Sequence, residues 1–223
     1  MKAEVLTLFP TPLYVTNINR EYTIKEKKEV EKLKKQFIKN NKNNQVLSID
    51  ELNDSYILER PVFKNIKNFI LENLKTYIEK VLMAYDVEPY ITQSWITVTT
   101  HGMIHPTHKH PNSFLSGTLY MYDVTKEDSV VFDKFIDGYY IRPNAKSYNF
   151  FNSETFTMFV EPGKLLIFPS YIPHYVTPMK GTYIRTSIAF NSFLKGNLGL
   201  NKQLNRLVLK WNIYKKEMIG LKL

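Results

Sequence analysis

The fold is decided by residues 95–122, which read WITVTTHGMIHPTHKHPNSFLSGTLYMY. Two runs of β-branched and aromatic residues, 95–99 and 114–122, flank a segment that carries four histidines and the turn signal His101-Gly102. Such runs favour strands, because β-branched and aromatic side chains pack well on a pleated surface. The stretch therefore predicts two strands joined by a histidine-rich connection.

The strand pattern extends over residues 89–193. Further short apolar runs lie at 130–132, 156–160, 165–168 and 183–190, and glycine turns at Asp137-Gly138, Pro162-Gly163 and Lys180-Gly181 separate them. Regular short strands with such turns are typical of an antiparallel sandwich or barrel. We predict that residues 89–193 form the β core.

Two helices are predicted ahead of this core, within residues 1–88. After a strand-like opening from Val5 to Val15, apolar residues recur at helical spacing on two segments. The first is highly charged and carries Val30, Leu33, Phe37 and Ile38; the second opens near Pro61 and carries Phe63, Ile66, Ile70, Leu74 and Ile78. Helical spacing returns in 194–223 through Leu204, Leu207, Val208 and Trp211. We predict a single domain, 1–223, with a mainly β core and flanking helices.

The composition is that of a globular chain, with 43% hydrophobic and 14% aromatic residues. No apolar run approaches the ~20 residues of a membrane helix, and the opening MKAEVLTLFPTPLY lacks a signal-peptide cleavage pattern. Cysteine is absent, which excludes disulfides, zinc–thiolate sites and cysteine nucleophiles. We therefore expect a cytoplasmic protein, since that compartment is reducing.

The net charge of +9 is a weak sign of a nucleic-acid partner. Much of this charge lies in the mixed-sign segment from Lys25 to Lys35, which fits the solvated face of an amphipathic helix. Only five of the thirty basic residues are arginine, and no nucleic-acid-binding motif is present. We expect neither a membrane nor a nucleic-acid partner, and the oligomeric state is open, with a homodimer among the options.

His108, His110 and His174 are the candidate metal ligands. Residues two apart in an extended segment point to the same side, so His108 and His110 can offer both imidazoles to one point. With His174 from a later strand, they would cap one face of an ion and leave the opposite positions open. Iron, zinc, manganese, nickel and copper all suit such a site, and a histidine-rich loop without a metal stays an alternative. His101 and His105 are assigned no ligand role.

Arg185 is the second candidate site residue. Alternation along 183–190 places Arg185 and Ser187 on one face, which would line the interior of the β core. No acidic residue lies near Arg185 in sequence, and a buried arginine without a partner is costly. A ligand carboxylate would neutralise it, because the guanidinium can donate to two oxygens at once. The alternative is an ion pair with an acidic residue of another strand.

Several blocks of the chain resemble one known family. The segment HKHPNSFLSGTLY, residues 108–120, resembles the HxHPxSxxSGxxY segment of a 2-oxoglutarate and iron(II)-dependent oxygenase family found in bacteria and tailed phages. Its opening and its later blocks resemble LFPTPLY at 8–14, EPGKLLIFPS at 161–170, His174, and 185–191. The resemblance thus runs from residue 8 to about residue 193.

The resemblance implies a double-stranded β-helix (jelly-roll, cupin-like) core and a cytoplasmic enzyme of a bacterium or a phage-infected host. It implies iron(II) on His108, His110 and His174. It also implies 2-oxoglutarate as co-substrate, with its far carboxylate on Arg185. Ser187 would assist, since Arg-x-Ser recurs in related oxygenases, and Tyr120 would be a further contact.

The chain departs from the wider superfamily at the metal shell, where a His-x-Asp/Glu pair is usual. Position 110 is histidine and position 112 is asparagine, so neither Asn112 nor its neighbours supply an acid. If a carboxylate completes the shell, Asp133 is the first candidate.

Three functions remain open from the sequence. The first is an Fe(II)- and 2-oxoglutarate-dependent oxygenase, or hydroxylase, of unidentified substrate. The second is a three-histidine cupin-type metal dioxygenase or isomerase, in which Arg185 would be a spectator. The third is a non-catalytic β-sandwich with a structural or binding role.

Overall fold

The computed structural model of the protein describes residues 3–40, 54–134, 143–179 and 181–210. Its helices are α1 (Ile24–Asn40) and α2 (Lys64–Thr76), with short 3-10 turns at Ile57–Glu59, Pro61–Phe63 and Asn201–Gln203 and a π turn at Tyr77–Val81. Its strands are β1 (Tyr14–Asn17), β2 (Val87–Thr99), β3 (His105–His108), β4 (Leu115–Tyr120), β5 (Ser129–Asp133), β6 (Thr155–Phe159), β7 (Lys164–Pro169), β8 (His174–Val176), β9 (Arg185–Leu198) and β10 (Leu207–Leu209). No helix in these ranges is long and apolar enough to cross a membrane.

The strands form two antiparallel sheets. The larger sheet has the order β1-β7-β4-β9-β10, and β2 pairs with β9 along almost its whole length. The smaller sheet has the order β3-β8-β5-β6. Apolar residues of β4, β5 and β7 form one buried cluster, so the two sheets face each other. This arrangement confirms the predicted mainly β core with flanking helices.

Both helices cover the outer face of the larger sheet. One buried cluster contains Val30, Leu33 and Phe37 of α1, Ile66, Ile70 and Leu74 of α2, and Ile96, Ile188 and Phe190 of the sheet. These are the residues that the helical spacing selects, because an amphipathic helix buries its apolar stripe. The prediction of two helices ahead of the core is confirmed.

Alternation along β9 separates this outer core from the interior. Ile188 and Phe190 pack under the helices, whereas Arg185, Ser187 and Ala189 line the space between the sheets. The neighbouring strand β4 approaches closely at Gly117, where an added Cβ would lie 2.4 Å from the Phe190 ring and 2.5 Å from the Leu166 carbonyl oxygen. Glycine at this position therefore lets β4 pack tightly between β7 and β9.

Two sequence predictions about the ends of the chain are wrong. In the described part of 194–223, β9 continues to Leu198 and β10 pairs with it, so the apolar residues serve a strand pair instead of a helix. Gly196 and Gly199 have φ angles of 118° and 68°, which lie outside right-handed helical geometry. Residues 211–223 lie outside the described ranges. At the other end, only Tyr14–Asn17 forms a strand, because the prolines at 10 and 12 cannot donate to a ladder.

Candidate active site

Three histidines meet at one point between the sheets. One nitrogen from each of His108, His110 and His174 lies within 4.8 Å of the others. His108 ends β3 and pairs directly with His174 at the start of β8. His110 follows β3 and is held by its backbone N–H, which donates to the Ser170 carbonyl oxygen at 3.0 Å. The structure thus brings together the residues that the sequence proposed as ligands.

Two of the three rings are oriented by backbone carbonyls. The Nδ1 of His108 lies 2.9 Å from the Pro106 oxygen, and the Nδ1 of His174 lies 3.0 Å from the Ile172 oxygen. Because a carbonyl only accepts, each Nδ1 carries the proton and each Nε2 is left with a free lone pair. Such contacts are typical of metal-ligating histidines, since they fix the ring and its tautomer.

The chemistry of the donor set fits a divalent metal ion. Burial lowers the pKa of His110 to about 3 and that of His174 to about 4, so both rings are neutral at pH 7 and able to ligate. The Nε2 atoms of His110 and His174 lie 3.3 Å apart. Two nitrogens bound at about 2.1 Å to one ion would be separated by roughly 3.0–3.4 Å.

A serine network supports the loop that carries His110. Ser116 Oγ donates to Asn191 Oδ1 at 2.8 Å and lies 2.8 Å from Ser170 Oγ. Ser170 Oγ in turn donates to Ser113 Oγ at 2.8 Å. The serines of the HxHPxSxxSG segment therefore hold the loop against the end of β7 and the middle of β9.

A cavity of about 50 Å³ extends from the histidines along β2 and β9. Arg185 lies at one end of it and is only 4% exposed. Its Nη1 donates to Asp128 Oδ1 at 3.0 Å, and Asp128 is itself buried. Of the two partners that the sequence left open for Arg185, the structure shows the acidic residue, which the turn before β5 supplies. The guanidinium makes no other hydrogen bond within the described ranges.

The two hydroxyl residues proposed beside Arg185 also line the cavity. Ser187 and Tyr120 are buried, and neither side chain bonds to another described residue. Burial raises the pKa of Tyr120 to about 12, so its phenol stays protonated and can donate. Arg185, Ser187 and Tyr120 thus present unused donors to one space.

Within the described ranges, no acidic side chain joins the three histidines. Asp133 ends β5 and accepts from Thr107 Oγ1 at 3.4 Å, outside the three-histidine group. Asn112 is exposed in a turn with a φ of 57°. Asp133, the first candidate for a carboxylate in the metal shell, is therefore not among the residues that the structure groups around the site.

Two further residues line the cavity, although the sequence analysis assigned no site role to them. His105 begins β3, and its ring centroid lies 4.1 Å from that of His108. Trp95 faces the interior 6.0 Å from the His110 ring, and its buried Nε1 has no hydrogen-bond partner among the described residues. Alternation on β2 puts Trp95 in register with Ala189 on the inner face, but a tryptophan in a strand looks like an ordinary core residue. His101, by contrast, is exposed and contacts the Gly181 oxygen.

Comparison with known proteins finds one family model that the middle of the chain matches. Residues 93–191 match the family model described as "Putative 2OG-Fe(II) oxygenase". This range includes every proposed site residue, and the match confirms the family resemblance of the sequence. No curated protein matches the chain.

Several solved structures are similar to the chain at low identity. HygX from Streptomyces hygroscopicus, solved with iron bound, is 11% identical, with 82% of each chain covered and a TM-score of 0.50. This likeness confirms the predicted double-stranded β-helix. A 2OG-Fe(II) oxygenase-family oxidoreductase from Burkholderia pseudomallei is 12% identical, with a TM-score of 0.45 and 62% of this chain covered. A prolyl-4-hydroxylase from Pseudomonas putida is 15% identical, with a TM-score of 0.40 and 60% covered. The chain spans 61% and 66% of the lengths of these two proteins.

Proposed function

We propose that the protein is an Fe(II)- and 2-oxoglutarate-dependent oxygenase that hydroxylates a substrate still to be identified. The observation that carries the proposal is the convergence of three imidazoles and a buried arginine on one cavity. The family match over residues 93–191 supports the same activity.

His108, His110 and His174 would hold the iron from one side. When bound, iron(II) with 2-oxoglutarate supplies the activation of oxygen that oxidation of a C–H bond requires. Backbone carbonyls fix the rings of His108 and His174, and all three histidines line the cavity.

Arg185, Ser187 and Tyr120 would bind the far carboxylate of the co-substrate. The unused edge of the guanidinium and the two free hydroxyls are donors, and a carboxylate supplies only acceptors. The cavity of about 50 Å³ holds one or two water molecules, so binding of the co-substrate requires the lining side chains to move apart. Leu166, Phe168 and other apolar neighbours then exclude water from the reacting centre.

The unpartnered Trp95 N–H lies at the opposite end of the cavity from Arg185. β2 pairs Thr99 with Arg185 and Trp95 with Ala189, so the two ends are about 13 Å apart along the strands. A buried donor without an acceptor is unfavourable, and an oxygen atom of a bound ligand would satisfy it. We assign this end of the cavity to the substrate side.

The protein would act in the cytoplasm, because iron(II) and a cysteine-free chain both suit a reducing compartment. We propose no membrane or nucleic-acid partner. Sedimentation equilibrium would decide between a monomer and a homodimer.

A three-histidine dioxygenase or isomerase that does not use 2-oxoglutarate is the second candidate. The ion pair between Arg185 and Asp128 favours it, because an arginine with a protein partner can be a spectator. In that case 2-oxoglutarate would neither bind to the metal-loaded protein nor be consumed.

The experiment is to incubate the protein with iron(II), 2-oxoglutarate and oxygen and to measure succinate and oxygen uptake. We expect slow succinate formation even without the substrate, and only when all three components are present. Zinc(II) in place of iron(II) is the control that binds without turnover. Absence of succinate from protein shown to contain iron would refute the proposal.

A further inference from the structure

We propose that Asp128 is a positioning residue for the co-substrate: it fixes Arg185 so that one edge of the guanidinium is occupied and the other faces the cavity. The inference rests on the proposed function, and assigns to Asp128 a role in selecting a dicarboxylate ligand.

The carboxylate of Asp128 is itself immobilised. Its Oδ1 accepts from Arg185 Nη1 at 3.0 Å, while its Oδ2 accepts from the Thr125 backbone N–H at 2.8 Å and from Tyr183 Oη at 3.0 Å. The Asp128 backbone is held as well, since Val160 N donates to its carbonyl oxygen at 2.9 Å. Because these contacts hold Asp128 in place, the ion pair also holds the Arg185 guanidinium in place.

The ion pair uses only part of the guanidinium. A guanidinium has five N–H groups. Among the described residues, the Arg185 guanidinium donates only one hydrogen bond, from Nη1 to Asp128. Arg185 also lines the cavity. A planar fork held on one side presents its remaining N–H groups in a fixed direction, which is the arrangement that a carboxylate needs.

Asp128 also balances the charge of the site. The residues that line the cavity include no acid, and the three histidines give a metal dication no negative ligand. A dication, a doubly negative co-substrate, Arg185 and Asp128 together carry no net charge. Without Asp128 the closed site would bury one positive charge, which is unfavourable. Asp128, paired with Arg185, therefore supplies the negative charge that the three histidines do not.

The test compares two 2-oxo acids that differ in the far carboxylate. Calorimetry gives the dissociation constants of 2-oxoglutarate and pyruvate for the zinc-loaded protein, and their ratio isolates the contribution of the arginine end. We expect the wild type to prefer 2-oxoglutarate by about 30-fold or more, from a charge-assisted contact of about 2 kcal/mol. In Asp128→Ala we expect this preference to fall about tenfold while pyruvate binds as before.

Asp123→Ala is the matched control. Asp123 is a partly buried acid at the same end of the sheet, bonded to Lys34 and to Thr186, the neighbour of Arg185, but on the helix side. If loss of a buried acid acts only by loosening the fold, both variants will lose the preference equally, which would overturn the proposal.

Asp128→Asn keeps the volume and serves if Asp128→Ala does not fold. Its single acceptor cannot serve Arg185, Thr125 and Tyr183 together, and the closed site gains a net charge, so the preference should fall again. An unchanged or increased preference would contradict the proposal, since it would make Asp128 a bystander or a competitor of the ligand. Failure of the wild type to prefer 2-oxoglutarate would instead refute the proposed function.

Discussion

The two ends of the cavity achieve charge control in opposite ways. At the histidine end, two stretches of the chain supply three imidazoles, and burial keeps the pKa of His110 and His174 far below the ordinary value. At the arginine end, a full positive charge is buried and matched by a full negative charge on Asp128. Metal affinity and ligand selectivity therefore reside in separate groups of residues, and substitutions should affect them separately.

The largest expected effect is loss of metal binding in His174→Ala. Removal of one of three ligands should weaken zinc or iron(II) binding by about 100-fold or more, measured by competition with a chelator. His101→Ala is the control, because His101 is exposed and lies outside the three-histidine group. Equal metal affinity of His174→Ala and the wild type would show that His174 is not a metal ligand.

The next effect is loss of co-substrate binding in Arg185→Lys. Lysine can keep the ion pair with Asp128 but has no second edge, so the 2-oxoglutarate dissociation constant should rise about 10- to 100-fold. Metal affinity should change less than about threefold. Alanine would be a poorer choice, since it leaves Asp128 buried without its cation. Arg206→Lys, at an exposed arginine, controls for the exchange; undiminished binding in Arg185→Lys would make the arginine purely structural.

A moderate effect concerns the stability of the metal-free protein at low pH. Because the pKa values of His110 and His174 are lowered in the folded state, the unfolded chain binds protons more readily below its own value of 6.5. Stability should therefore fall as the pH drops from 6.5 towards about 4. Denaturant unfolding at pH 6.5 and 5.0 measures the slope, which should be flatter in a His110→Asn, His174→Asn double variant. Identical slopes would show that these rings are not buried in the neutral form.

The smallest effect should follow Ser116→Ala. Loss of the hydroxyl removes its bonds to Ser170 and Asn191, and should lower the free energy of unfolding by about 1–2 kcal/mol. Metal affinity should fall about two- to fivefold, because Ser170 anchors the His110 backbone. Ser129→Ala removes a buried hydroxyl from the smaller sheet and should leave metal affinity unchanged. If both variants behave alike, the serine network does not position the histidine.

Local pattern predicted the parts of the site that lie on extended backbone. The i, i+2 spacing of His108 and His110 and the alternation of Arg185 and Ser187 both follow from extended backbone, and the structure brings these residues together. The two helices were equally predictable from the sequence, since their apolar stripes are long and periodic.

The other site residues could not be predicted, because their roles depend on contacts between residues far apart in sequence. Asp128 and Asp133 stand at opposite ends of the region around β5, and the sequence favoured Asp133, which the register places opposite Thr155. Asp128 meets Arg185 across 57 positions through a turn, a contact that no local pattern reveals. Trp95 resembles any core aromatic until its unpartnered N–H is seen.

The most direct measurement of the central claim is the visible absorption spectrum of the anaerobic protein with iron(II) and 2-oxoglutarate. A 2-oxo acid that chelates iron(II) through its carboxylate and keto oxygens gives a charge-transfer band. We predict that the band appears only when both components are present, that it is lost in His174→Ala, and that Arg185→Lys requires far more 2-oxoglutarate to produce it. A wild-type protein that contains iron but develops no band at saturating 2-oxoglutarate would contradict the account.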